Sequence, residues 1–134
     1  MGMIYRAVPK QTPDFTGLAA TSSTTVLLAK GLDVSNFREV AVICRLHAAT
    51  WPTGASVTIS ARYDAPTSED TADFTSGDMG AMTFTQGTNT APALKVFTVT
   101  SGFSAFIRIY VKGTTGSATG TFQPTLSVDV NARS

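Results

Sequence analysis

A chain of 134 residues with a formal net charge of +1 suits one domain spanning residues 1–134. Its near-balanced charge gives no electrostatic reason to expect nucleic acid or an anionic membrane as partner. Serine and threonine make up roughly a quarter of the residues while Leu, Glu and Lys are scarce, which tilts the balance towards strands. The lone cysteine excludes an intrachain disulfide, and one cysteine with one histidine is too few for a zinc site.

The start, Met-Gly-Met-Ile-Tyr-Arg, has no apolar h-region and no small-residue cleavage site. The expectation is a protein made in a host cytoplasm and not secreted by a signal peptide. No apolar stretch approaches membrane-spanning length. Ile4 to Val8 reads as a first strand cut off by Pro9, so residues 1–16 form a strand and an arm. Val26 to Ala29 is an apolar run of strand length ended by Gly31, and Leu32 to Phe37 reads as a corner. Arg38 to Ala49 is nearly apolar throughout, which predicts a central strand covered on both sides. Cys44 shares a strand face with Val40, Val42 and Leu46, the setting of a buried, inert thiol.

Pro52 and Gly54 mark a turn, and Trp51 sits on it. A tryptophan there either stacks on a sugar ring, anchors a partner, or folds back over the edge of the domain. Val57, Ile59, Ala61 and Tyr63 then alternate with Ser56, Thr58, Ser60 and Arg62, and this strand is expected to form a hairpin with the preceding one. Residues 64–78 are acidic and polar, a connection long enough to cross between sheets. Asp64, Glu69, Asp70, Asp73 and Asp78 are weak candidates for oxygen ligands to Ca²⁺; their spacing is not that of an EF-hand loop, and a solvated acidic loop is the plainer reading. Shorter strands follow at Met79 to Thr85 and Leu94 to Thr100.

The last third carries the clearest pattern. Ala105, Ile107, Ile109 and Val111 alternate with Phe106, Arg108, Tyr110 and Lys112; beyond Gly113–Gly120, read as a flexible hairpin tip, Phe122, Pro124, Leu126, Val128 and Val130 share one face. A period of two belongs to strands with one side buried. About seven or eight strands with turn signals between them predict an all-β fold, an antiparallel β-sandwich of jelly-roll type with no substantial helix.

Chemistry is sparse. His47 is the only histidine, no G-x-S-x-G elbow exists, and the glycine-rich stretch 113–120 lacks the Lys-Ser/Thr pair of a phosphate loop. The expectation is a non-enzymatic protein with no cofactor. Phe106, Arg108, Tyr110 and Lys112 interleave aromatic and cationic side chains, a composition enriched in protein interfaces, unless neighbouring elements cover that strand. With Trp51 they are the candidate interface residues.

The stretches Thr24–Val40, Tyr63–Asp70, Phe106–Val111 and Leu126–Arg133 resemble the small all-β structural proteins of tailed bacteriophage particles, and the resemblance runs over most of the chain. It implies a self-associating capsid decoration, stabilising or head/tail accessory protein on a particle surface. Its partners would be other copies of itself and a capsid or tail scaffold protein, with contacts at the N-terminal arm and the Phe106/Tyr110 face. The competing reading is a carbohydrate- or ligand-binding β-sandwich using Trp51, Tyr63 and the acidic segment, with Ca²⁺ as a potential ligand.

Overall fold

The computed structural model describes residues 2–64, 78–100 and 106–134, the side chains of residues 63, 64 and 78 excepted. They form eight strands: β1 (Gly2–Gln11), β2 (Ser23–Asp33), β3 (Glu39–Thr50), β4 (Ser56–Asp64), β5 (Asp78–Thr85), β6 (Ala93–Val99), β7 (Phe106–Thr114) and β8 (Gln123–Arg133). One sheet has the order β1-β8-β3-β6 and the other β2-β7-β4-β5, each pairing antiparallel. Every connection except β4 to β5 passes from one sheet to the other, giving the two-sheet jelly roll. β1 lies beside β2 on one flank of the sandwich and β6 beside β5 on the opposite flank.

Alternation builds the core. Val40, Val42, Cys44 and Leu46 of β3 and Leu126, Val128, Val130 and Ala132 of β8 point inward from the first sheet. Val57, Ile59 and Ala61 of β4 and Ile107, Ile109 and Val111 of β7 meet them from the second. Each large aliphatic chain so buried contributes roughly 1.5–3 kcal/mol.

Strand partners differ from expectation at three places. β3 and β4 are joined by the expected turn, with Ala55 N–H donating to Pro52 O and Gly54 at φ +83°, but they lie in opposite sheets. β7 and β8 do likewise, so neither pair is a hairpin. In both pairs the apolar faces meet across the core rather than side by side, a distinction that period two does not carry. The acidic connection does not cross between sheets, because β4 and β5 pair with each other from Ser56↔Thr85 to Arg62↔Asp78.

Other differences are local. Pro9 does not end β1, since β1 is an edge strand and tolerates a missing N–H. Gly31, at φ +69°, marks a register shift inside β2 rather than its end. β3 is central, between β8 and β6, yet Ala41, Ile43, Arg45 and His47 stay half-exposed on its outer side. The segment after β7 is tied down: Thr21 N–H donates to Gly116 O, Thr115 N–H to Ser22 O, and the Thr115 hydroxyl to Ala19 O. It is an anchored crossing, not a hairpin tip.

Candidate functional site

Phe106, Arg108, Tyr110 and Lys112 lie together on the outer face of the second sheet, as their alternation on β7 requires. β7 is a central strand, flanked within its sheet by β2 and β4. Arg108 is only 3% exposed, Phe106 and Tyr110 are half-buried, and Lys112 is exposed. The Arg62 guanidinium lies over the Tyr110 ring at 5.0 Å, a diagonal cross-strand cation–π contact. Ser, Thr and small residues surround these side chains on β4 and β5. Trp51 does not join this group; it stands on the loop from β3 to β4.

On the outer face of the first sheet, Asp129 is 7% exposed between two arginines. Arg45 Nη1 donates to Asp129 Oδ2 at 2.6 Å. Arg6 Nε stands 2.5 Å from Oδ1, close enough for an ion pair but out of line for a hydrogen bond. One register step away, His47 Nε2 meets Ser127 Oγ at 2.9 Å. This places a nucleophile type beside a base type, yet Ser127 is fully buried and the nearby carboxylate is held by arginines rather than orienting the imidazole. Cys44 is fully buried, and burial pushes its thiol up to about 12, with Arg45 opposing weakly. The buried, inert thiol expected from its strand face is what stands there.

Of the acidic candidates, Glu69, Asp70 and Asp73 and the side chains of Asp64 and Asp78 lie outside the described residues. Among the described residues no group of three or more His, Cys, Asp or Glu side chains gathers as a metal centre.

Trp51 is half-buried and packs against the core while lining an open cavity of about 470 Å³ at one end of the sandwich. His47 and the end of β3 form one wall, and the turn between β5 and β6, with Gln86 and Asn89, forms the other. Asn89 closes its own turn: its N–H donates to Thr85 O at 2.8 Å and its Oδ1 accepts from Thr85 N–H at 2.9 Å.

Among the described residues, the exposed large apolar side chains follow a rule of their own. Met3 and Ile4 lie on β1, Val26 and Leu27 on β2, and Leu94 and Val96 on β6, with Ile4 72% exposed. All three are edge strands.

With this geometry the chain overlays on a chain in the structure of infectious bursal disease virus, Gx strain, at TM-score 0.53 and 11% identity, over 99% of its own length and 33% of that chain. The Gt strain gives TM-score 0.55 at 8% identity, over 98% and 32%. The likeness is one of fold. This chain spans about a third of the length of either of those chains. A third overlay, on the VP2 subviral particle of the same virus, reaches only TM-score 0.37 at 13% identity. No protein-family model matches the chain. No curated protein matches it either.

Sequence reasoning did not find the edge residues or the second wall of the Trp51 cavity. Both depend on which strands neighbour which. A signal existed for Gln86 and Asn89, which share a polar turn with Gly87, but nothing in it points towards Trp51.

Proposed function

We propose that this protein is a non-enzymatic structural subunit of a virus-like particle that self-associates through the edges of its jelly roll. A capsid decoration, stabilising or head/tail accessory role on a tailed-phage type of particle is the specific form of this reading. Its partners are then further copies of itself and a capsid or tail scaffold protein. The observation that carries it is that, among the described residues, the exposed large apolar side chains are confined to edge strands, four on the β1/β2 flank and two on β6. Edge strands present unpaired backbone groups, and soluble monomers normally blunt them with charge or cover. Apolar side chains on such edges suit docking of another strand or flank. Because the two flanks are different surfaces on opposite sides, their mutual contact is head-to-tail and builds rings or lattices rather than closed two-fold dimers.

The fold likeness to chains of a virus particle supports the same reading. Light scattering of the purified chain over a concentration series tests it. A mass above that of the 14.0 kDa monomer, rising with concentration to a fixed multiple, is the expected result. A strict monomer at every concentration, and after mixing with host particles that lack this chain, overturns it.

A further inference from the structure

We infer that the cavity beside Trp51 is a binding site for a neutral sugar ring. Its construction decides the ligand class. The Gln86 side-chain oxygen accepts from Gly54 N–H at 3.3 Å, tying the β5–β6 turn to the β3–β4 turn. The Asn89 side-chain oxygen accepts from Thr85 N–H at 2.9 Å. A backbone N–H can only donate, so in both amides the oxygen is the committed arm and the NH₂ group is the other. Gln86 and Asn89 both line the cavity, and among the described residues neither side-chain NH₂ has a protein acceptor. The walls therefore offer fixed hydrogen-bond donors.

Their positions are held before any ligand arrives. Gly54 and Gly87 adopt φ of +83° and +84°, which only glycine takes without strain, so both turns are conformationally set. His47 is held by Ser127 at 2.9 Å, and Trp51 is fixed by its packing on the core. Pre-set donors reduce the ordering cost of binding.

Among the described residues the lining contains no Asp, Glu, Lys or Arg. Apart from His47 an ionised ligand would find no titratable partner, and a wholly apolar one would leave the amide donors unpaired, which is costly. What fits is a neutral molecule rich in acceptor oxygens with one apolar face for the indole. A pyranose ring has both, its hydroxyl oxygens for the amides and its C–H face for Trp51. The cavity's size lies within the range of small-ligand sites. The inference is independent of self-association, since the cavity lies at a loop end and takes no residue from β1, β2 or β6.

Trp51 is the only tryptophan, so its emission reports directly on this site. The full-length chain is titrated with glucose, galactose, N-acetylglucosamine and their short oligomers, and with sialic acid as the charged comparison. A saturable change in emission with at least one neutral sugar, at a Kd of ~1 mM or tighter, is expected. Asn89→Asp and Gln86→Glu keep an oxygen to hold each turn and replace the NH₂ donor with a second, ionised carboxylate oxygen. Each should weaken binding about tenfold while the melting temperature stays within ~3 °C of the parent. The inference is overturned if no neutral sugar gives a saturable response, if sialic acid binds better than every neutral sugar, or if both isosteric variants fold and bind like the parent.

Discussion

The ring of Phe15 covers Gly113 so closely that a Cβ on that glycine would stand 2.5 Å from Phe15 Cγ. Phe15 belongs to the segment between β1 and β2, is 3% exposed, donates its N–H to Phe122 O at 2.8 Å, and packs its ring 5.3 Å from that of Phe122. Gly113→Ala would have to push this ring out of a filled site. The expected loss is about 1–3 kcal/mol in urea unfolding at unchanged m-value. Gly80 offers a matched comparison, because a Cβ there would meet the ring of Phe97 at 2.8 Å, and Phe97 is only half-buried and can swing outward. Gly80→Ala should cost less than Gly113→Ala; the reverse order would mean that Phe15 is not held as described.

That contact also shows where sequence reading stops. The strands themselves were legible, because Val57, Ile59 and Ala61, or Ile107, Ile109 and Val111, alternate with polar residues and each alternation is a local property of the chain. Which strand lies beside which was not. β3 and β4, and β7 and β8, have apolar faces that would serve equally in a hairpin or across a core. Thr125 faces outward as its spacing predicts, yet its hydroxyl bonds to that of Thr12 at 2.8 Å, a partner 113 residues away. The candidate site divides the same way. Trp51 and the β7 face stand out by residue type, whereas the edge positions of Ile4 and Leu94 exist only once the sheets are ordered.

Asp129 should prove a structural carboxylate. It is buried between Arg45 and Arg6, whose side chains are 42% and 59% exposed, so solvent screens the arginines but not the acid. Asp129→Asn leaves two guanidinium groups facing each other across a neutral amide. A loss of about 1–2 kcal/mol is expected. Parent stability should also fall modestly with added salt, as part of the pairing is screened. Arg45→Met should cost more than Arg6→Met, because only Arg45 makes an aligned hydrogen bond. Thermal melts of the three variants at low and high salt check the order.

Cys44 gives a pH prediction with a defined sign. Burial raises its thiol from 9.0 to about 12, so the folded chain keeps it neutral where an unfolded chain would ionise it. Stability from this group is fully present below pH 9 and declines as pH rises from there towards 12. A thiol-reactive chromogenic disulfide at pH 8 should leave native protein unlabelled and label it fully in denaturant. Cys44→Ala should flatten the alkaline limb of the stability profile, and an unchanged limb would assign the decline to other groups. Rapid native labelling would contradict the burial of the sulfur.

Edge and core positions should separate cleanly on substitution to aspartate. Ile107 is fully buried, and Ile107→Asp places a charge in the core, so no folded protein is expected. Ile4 is 72% exposed and Leu94 55% exposed, on edge strands of the same sheet, so a charge at either is solvated. Ile4→Asp and Leu94→Asp should therefore melt within ~3 °C of the parent while lowering the mass measured by light scattering. Head-to-tail contact makes a sharper demand. Each variant retains one intact flank, so mixing the two should restore heterologous pairs, through the Leu94 flank of Ile4→Asp and the Ile4 flank of Leu94→Asp, but no longer assemblies. A two-fold contact through a single flank predicts the opposite, with one variant alone dissociating and the other assembling like the parent.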